Sequence, residues 1–413
     1  MEKWENDIKK VKNASYKLLE LDDNTRNNIL KDIIKEIDAN RESIIDANSV
    51  DIKNAKENNI SESLIDRLTL NDKRIDGIIK GILELIKIDI KMEEKIEKWK
   101  AKDGFTINKV RVPFGSVLTI FEARPNVTFD IACMCIKTAN ACILRGGKEA
   151  INTNVQTVKV LKKVLEKYGI EDSLYLITDL DHKVVDELIR KKEDIDLVIP
   201  RGGKGLIDYV TSNSLIPVIE TGAGNCHIYV AKSAKFDMAL DIIENAKVQR
   251  PSVCNAVESV LVDEKIKDTF LIALKERLDK YNVEIRADKP SLSVINVKEA
   301  TEDDYFKEYN DLIVSVKIVN GVKEAISHIN KYSTHHSEAI ITEDDGEKEL
   351  FFKKVDSACV YHNASTRFTD GGMFGFGAEV GISTQKLHVR GPMGLKELTT
   401  YKYIIEGNGE VRS

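Results

Sequence analysis

The rhythm of apolar positions changes near Phe105 and divides the chain. Before that point Ile75, Ile78, Ile79, Ile82 and Ile86 recur three or four residues apart, with charge between them. This spacing predicts amphipathic helices, so residues 1 to about 98 read as a helical region, with Asn71 as a cap. Pro is absent until Pro113, which suits uninterrupted helices. Beyond Phe105, short continuous apolar runs alternate with helical stretches. The first series is Val117–Phe121, Ala141–Leu144, Leu174–Ile177, Asp196–Ile199 and Ile216–Ile219. The second is His227–Val230, Val260–Val262, Val314–Val319, Glu338–Ile341 and Cys359–Tyr361. Such runs predict parallel strands buried on both faces. The chain therefore reads as two α/β units with a seam near Thr221-Gly222-Ala223-Gly224-Asn225. The tail Leu398–Ile405 reads as a β-arm that pairs with Phe105–Val112 or with a neighbouring subunit.

Composition narrows the function class. A chain of 413 residues exceeds one ordinary core, and 42% apolar residues supply two or three. The 62 basic and 68 acidic residues leave a net charge of -6. That balance argues against a nucleic-acid or membrane-surface binder and leaves room for a local basic pocket around a phosphate. No stretch approaches the ~18 apolar residues of a membrane span. The N-terminal residues Met1–Asp7 are charged and lack the apolar core of a signal peptide. Six scattered cysteines (Cys133, Cys135, Cys142, Cys226, Cys254 and Cys359) read as free thiols in a reducing cytoplasm. No metal site is expected. His335 and His336 are adjacent and cannot share a face, and Cys133-x-Cys135 has no second pair.

Five segments can carry chemistry. Cys254 lies in Gln249-Arg250-Pro251-Ser252-Val253-Cys254-Asn255, a loop-to-strand junction after a basic residue. A thiolate is the reactive form, and nearby positive charge favours it; a buried core thiol is the competing reading. Glu122-Ala123-Arg124-Pro125-Asn126-Val127-Thr128 follows a strand directly. There Asn126 can donate to an oxyanion and Arg124 can hold a carboxylate or phosphate, or the segment is simply a turn. Arg145-Gly146-Gly147-Lys148 and Arg201-Gly202-Gly203-Lys204-Gly205 each follow a strand. Glycine lets a ligand approach the backbone, and flanking cations suit phosphate; ordinary strand-to-helix turns are the alternative. Neither is a P-loop, and no Gly-x-Gly-x-x-Gly follows a strand. The run Thr369–Gly377 is glycine-dense and reads as a close-packed loop or a substrate lid.

In this order the segments resemble the γ-glutamyl phosphate reductase family, a branch of the aldehyde dehydrogenase superfamily. The likeness runs from about residue 105 to 409. It is carried by Val112-Pro113-Phe114-Gly115-Ser116, Ala123–Thr128, Leu144–Ala150, Gly224-Asn225-Cys226-His227 and Gln249–Asn255. Asn363–Phe368, Gly381–Lys386 and Arg390-Gly391-Pro392-Met393-Gly394 complete it. The resemblance implies an aldehyde-dehydrogenase-like α/β fold with two doubly wound domains and a small β oligomerisation arm. It divides the chain into an NADP-binding domain (1–99 and 113–222), a catalytic domain (223–370), a return segment (371–395) and the arm (100–112 and 396–413).

The implied activity is NADPH-dependent reduction of L-glutamate 5-phosphate to L-glutamate 5-semialdehyde and phosphate, the second step of proline synthesis from glutamate. Cys254 would be the nucleophile that forms a thioester, with Asn126 and the Cys254 backbone N–H as oxyanion donors. Glu308 resembles the superfamily residue at the nicotinamide ribose, and Arg145 takes the place of its Lys at the adenosine ribose. Lys148 stands where NAD-preferring members often carry Glu; a cation suits the 2′-phosphate of NADP, and a solvated lysine is the competing reading. Gly202 and Gly203 join these as cofactor contacts. Arg124, Arg367 and Asp370 are candidates for holding the glutamyl carboxylate and amino groups of the substrate. Glu220 stands where oxidising relatives keep a general base, a role that a phosphate-releasing reductase does not need. The expected partners are a separate glutamate 5-kinase and further copies of the chain, as a dimer or tetramer. The alternatives are an NAD(P)-dependent aldehyde dehydrogenase oxidising a free aldehyde, and a catalytically silent scaffold on the same fold. Retention of Cys254, Asn126 and Glu308 together speaks against the scaffold.

Overall fold

The computed structural model describes residues 3–102, 104–377 and 379–412. They form two compact units. The first runs to Thr221 and takes back Gly375–Gly381 and the chain from Met393; the second comprises Gly222–Phe374 and Ile382–Pro392.

The first unit opens with helices Lys3–Glu20, Asp23–Ala39, Arg41–Glu57, Glu62–Leu68 and Asp72–Lys87. The Asn71 side chain caps the last of these by accepting from the Arg74 N–H. Ile75, Ile78, Ile82 and Leu85 form its buried stripe, and Ile79 and Ile86 lie at the margin. Buried polar contacts fasten these helices to the sheet layer. The enclosed Lys137 ammonium reaches Asp23 Oδ1 at 3.0 Å and Asn27 Oδ1 at 2.7 Å. Asp51 accepts from the Asn152 and Thr153 N–H groups at 3.2 and 2.8 Å, capping helix Ile151–Lys167 from a different helix. Beneath lies a parallel sheet in the order Leu174–Leu176, Ala141–Gly146, Ser116–Phe121, Leu197–Arg201. Both inner strands are buried along their whole length, as their apolar runs require. The chain steps outward from Ser116–Phe121 and then returns to its other side. The switch point, where open α/β sheets bind ligands at the strand ends, thus lies between Phe121 and Arg201.

The second unit is a seven-stranded parallel sheet. Its order is Lys298–Glu299, Glu284–Ala287, Ile313–Val319, Val257–Asp263, Cys226–Val230, Ser337–Ile341, Cys359–His362. Alternate residues of one strand feed separate cores. Ile228, Val230, Val260 and Val262 pack with Phe270 and Leu274 on one face. Tyr229, Leu261 and Ile340 pack with Ile329 and Phe351 on the other. Full burial of each such side chain contributes about 1.5–3 kcal/mol.

Three antiparallel strands, Lys95–Lys100, Thr106–Pro113 and Thr399–Glu406, make the arm, with the second in the middle. Thr399 lies opposite Pro113 and Glu406 opposite Thr106, so the tail does pair with the strand that follows Phe105. The helical reading to residue 98 overshoots, because Lys95–Lys100 is a strand. Its six residues are all exposed, so no buried stripe selects a helix, and pairing with Thr106–Pro113 sets the conformation. The Ile216–Ile219 run makes one bridge, Val198 to Val218, and no strand. Pro217 has no N–H to donate and contributes only its carbonyl, which accepts from Val198 N at 2.9 Å. The short strands Glu284–Ala287 and Lys298–Glu299 carry too few apolar residues to stand out in sequence. No helix among the described residues is long and apolar enough to cross a membrane.

Candidate active site

In the second unit the candidate residues gather at the N-terminal ends of the strands. Cys254 lies in the loop between helix Phe236–Val248 and strand Val257–Asp263. It is the one partly exposed cysteine; Cys133, Cys135, Cys142, Cys226 and Cys359 are buried. Burial pushes the Cys226 and Cys133 thiols upward, which keeps them protonated and inert.

The loop is fixed from behind. The Cys226 thiol donates to the Cys254 carbonyl at 3.2 Å. Gly224 passes so close that a Cβ there would sit 1.4 Å from the Cys254 carbonyl oxygen. Glu308 Oε1 accepts from the Gly224 N–H at 2.9 Å. The buried Asn225 amide donates to the carbonyls of Tyr305 at 2.7 Å and Tyr332 at 2.9 Å, and its N–H donates to Thr334 Oγ1 at 2.9 Å. Segments before four parallel strands are thereby tied together beneath the thiol. Deeper still, the Lys247 ammonium meets Glu258 Oε2 at 2.7 Å and the Ile313 carbonyl at 2.9 Å. Both side chains are fully buried, and burial drives the lysine pKa down and the glutamate pKa up. The pair anchors the helix end from which the cysteine loop departs.

A second segment crosses this loop. Thr366 Oγ1 donates to the Asn255 carbonyl at 2.7 Å, and Asn255 Nδ2 donates to the Thr369 carbonyl at 2.8 Å. Arg367 Nε donates to Gln249 Oε1 at 3.1 Å. The structure therefore brings Cys254, Glu308 and Arg367 into one loop cluster. Asp370 lies at its border, with Oδ1 accepting from the N–H groups of Gly372 and Met373 at 2.9 and 3.2 Å.

In the first unit the candidates lie at the opposite, C-terminal strand ends. Glu122 bridges the switch point: its N–H donates to the Arg201 carbonyl at 3.0 Å, and its Oε2 accepts from the Gly203 N–H at 2.8 Å. A Cβ on Gly202 would meet that oxygen at 2.5 Å. Glu122 and Leu206 thus fill the space a side chain on Gly202 would need, while Gly203 has room for one and its N–H is engaged. Ala123 turns with φ +30°, and Asn126 opens helix Asn126–Lys137 with its side chain exposed. Asn126 Nδ2 donates to Asp130 Oδ2 at 3.0 Å. The Asp130 carboxyl is pushed up to about 6, mainly by burial and against the pull of the Asn126 hydrogen bond. Arg124 is half-buried in the turn before Asn126.

Arg145 is buried at the end of its strand, with its terminal nitrogens on the carbonyls of Gly146 at 3.1 Å and Leu180 at 2.8 Å. Its Nε has no hydrogen-bond partner among the described residues, and Lys148 is exposed three residues on. A buried guanidinium with an unsatisfied N–H, next to a solvent-facing lysine and a glycine pair, fits an anionic dinucleotide. Burial raises the Glu220 pKa, with the Asp208 charge adding to it. Sequence reasoning missed Glu122, Asp130, Gly224 as a packing partner, and Asn225. The motifs contained Glu122, Gly224 and Asn225, and Asp130 lies two residues past Thr128; only tertiary contacts reveal their roles.

Residues 2–303 match the model of the aldehyde dehydrogenase family. A γ-glutamyl phosphate reductase of Clostridium beijerinckii is 51% identical over 404 residues, covering 97% of this chain and 98% of the relative. The chain belongs to the γ-glutamyl phosphate reductase family. The crystal structure of a γ-glutamyl phosphate reductase from Thermotoga maritima superposes with a TM-score of 0.96 at 46% identity, covering 100% of both chains. An acetylating aldehyde dehydrogenase from Geobacillus thermoglucosidasius shares the fold, with a TM-score of 0.72 at 17% identity over 99% of this chain and 97% of that one. Members of the wider aldehyde dehydrogenase family use a nicotinamide cofactor and act on small molecules. For a γ-glutamyl phosphate reductase the partly exposed thiol and the glycine-bearing strand ends are the features that bear on chemistry.

Proposed function

We propose that this chain reduces L-glutamate 5-phosphate to L-glutamate 5-semialdehyde and phosphate, with NADPH as reductant, as the second step of proline synthesis from glutamate. The observation that carries this reading is the single partly exposed thiol, Cys254, held on a loop that Gly224, Glu308 and Asn225 immobilise. The Cys254 thiolate attacks the acyl carbon, a C–S bond forms, and the C–O bond to phosphate breaks. Asn126 and the Cys254 backbone N–H stabilise the oxyanion of that step. Splitting acyl transfer from reduction replaces one high barrier by two lower ones. NADPH, when bound, supplies the hydride that reduces the thioester carbon, after which Cys254 departs as the aldehyde forms.

Arg145, Gly202 and Gly203 serve the cofactor, and Lys148 takes the 2′-phosphate that distinguishes NADP from NAD. The Glu308 carboxylate, already fixed by the Gly224 N–H, has a second oxygen to offer a ribose hydroxyl. Arg124, Arg367 and Asp370 provide the charges that hold the ionised groups of the substrate. The arm exposes Trp99, Tyr401, Tyr403 and Ile405. Exposed aromatic and aliphatic side chains on a small sheet suit contact with further copies of the chain, so a dimer or tetramer is the proposed form. A separate glutamate 5-kinase in the same cytoplasm supplies the labile acyl phosphate.

The deciding experiment is NADP reduction by the purified protein with glutamate semialdehyde, with and without phosphate. Phosphate-dependent turnover is expected. Turnover without phosphate would overturn the reading in favour of a hydrolytic aldehyde dehydrogenase.

A further inference from the structure

We propose that Arg250 and Arg367 form the phosphate subsite beside Cys254, holding the phosphoryl group as it leaves the acyl carbon and inorganic phosphate in the reverse direction. This deepens the acyl-phosphate reading and rests on it.

Three observations place the two arginines there. The first is the interlock between the cysteine loop and the turn Thr366–Phe368. Thr366 Oγ1 bonds the Asn255 carbonyl at 2.7 Å, and Asn255 Nδ2 reaches the carbonyls of Thr369 at 2.8 Å and Arg367 at 3.4 Å. Arg367 is thereby held against the residue next to Cys254 in the chain. The second is orientation. Arg367 Nε is spent on Gln249 Oε1 at 3.1 Å, which fixes the guanidinium over the segment that carries Arg250. The terminal nitrogens of such a fork match two oxygens of a phosphate. The third is charge. Burial opposes protonation of Arg367, and the like charge of Arg250 opposes it further, while the Cys254 thiolate and Asp370 favour it. Arginine does not give up its proton in proteins, so the fold holds two cations close together at a cost. A dianion between them removes that cost.

Substrate geometry decides which anion this is. In L-glutamate 5-phosphate the phosphorus is two bonds from the reacting carbon, whereas the α-carboxylate carbon is four bonds away. Cations packed against the nucleophile loop are therefore in reach of the phosphate. As the C–S bond forms, the electrons of the C–O bond leave on the phosphate oxygen, and charge grows on the group that the arginines face. Stabilising that developing charge lowers the barrier of the acyl-transfer step.

The reverse reaction separates the possibilities, because phosphate and semialdehyde are then independent substrates. Arg250→Gln and Arg367→Gln are expected to raise KM for phosphate by about 10- to 100-fold while KM for semialdehyde stays within about 2-fold. Arg→Lys at either position should restore part of the loss. A rise in KM for semialdehyde with KM for phosphate unchanged would overturn the proposal and assign Arg367 to the substrate carboxylate. Wild-type turnover without phosphate would instead overturn the acyl-phosphate reading itself, so the two failures are distinguishable. Binding is read separately through alkylation of Cys254 by iodoacetamide. Inorganic phosphate should slow it in the wild type and not in Arg250→Gln. Equal protection in both proteins counts against the subsite. Arg250 is exposed, so its replacement leaves the core intact and decides the matter even if Arg367→Gln fails to fold.

Discussion

The Glu308 carboxylate accepts a 2.9 Å hydrogen bond from the backbone of Gly224, the residue that presses against the carbonyl of Cys254. The cysteine loop is thus supported by a backbone with no side chain, which a carboxylate from another loop holds in place.

Gly224→Ala should show how tight that support is. The added methyl would lie 1.4 Å from the Cys254 carbonyl oxygen, and the contact is with backbone, so the cysteine loop must move. Overpacking of this kind costs about 1–3 kcal/mol, and a 1 Å displacement of a nucleophile costs on the order of 100-fold in rate. The variant should fold with a lowered Tm and lose activity by about that factor. Wild-type kcat in this variant would show that the loop is not held from behind.

Cys254 should be the only thiol to react rapidly in the native protein, since the other five cysteines are buried. Brief treatment with iodoacetamide should add one label per chain, located by peptide mapping at Cys254, with activity lost in proportion. Labelling of two or more cysteines at similar rates would contradict this burial pattern.

Asp130 should make stability depend on pH in the acid range. Its carboxyl is raised from 3.8 to about 6, first by burial and then by the charge of Glu379, against lowering by Asn126 and Arg201. The folded chain therefore holds the proton more tightly than the unfolded chain. Ionisation opposes folding above pH 6, and that opposition fades as pH falls from 6 to below 4. Asp130→Asn should accordingly unfold later than wild type at pH 8, by on the order of 2 kcal/mol, and show no advantage at pH 4. Denaturation curves at the two pH values test this; an equal difference at both would remove the Asp130 carboxylate as the cause.

Lys148→Glu should move cofactor preference. Lys148 is exposed at the start of the turn Lys148–Ala150, so the change leaves the core untouched. The kcat/KM with NADP should fall by about 10- to 100-fold, with a smaller change for NAD. Parallel losses for both cofactors would mean that Lys148 does not meet the 2′-phosphate.

The parallel sheets were legible because both faces are buried: runs such as Val117–Phe121 and Ala141–Leu144 are apolar at almost every position. Lys95–Lys100 was not, because its conformation comes from a partner strand and its side chains are all exposed. The cysteine loop stood out by composition and by its resemblance to a family. Its supports did not, because the bonds from Asn225 to Tyr305 and Tyr332 join residues 80 and 107 positions apart. Strand-end rules locate Glu122 and Gly203 but mislead for Cys254, which sits before the first residue of the central strand of the second unit's sheet.

The arm also orders events in time. Its middle strand, Thr106–Pro113, meets Lys95–Lys100 on one side early in synthesis, but its other side waits for Thr399–Glu406. At 5–20 residues per second a ribosome needs roughly 15–60 s to travel between them. For that interval a nascent chain carries an open sheet edge, the kind of surface that recruits stray strands. Lys109 and Arg111 lie on that strand, and Lys95, Lys98 and Lys100 flank it on the first. Charged side chains along such an edge disfavour pairing with a neighbouring incomplete chain.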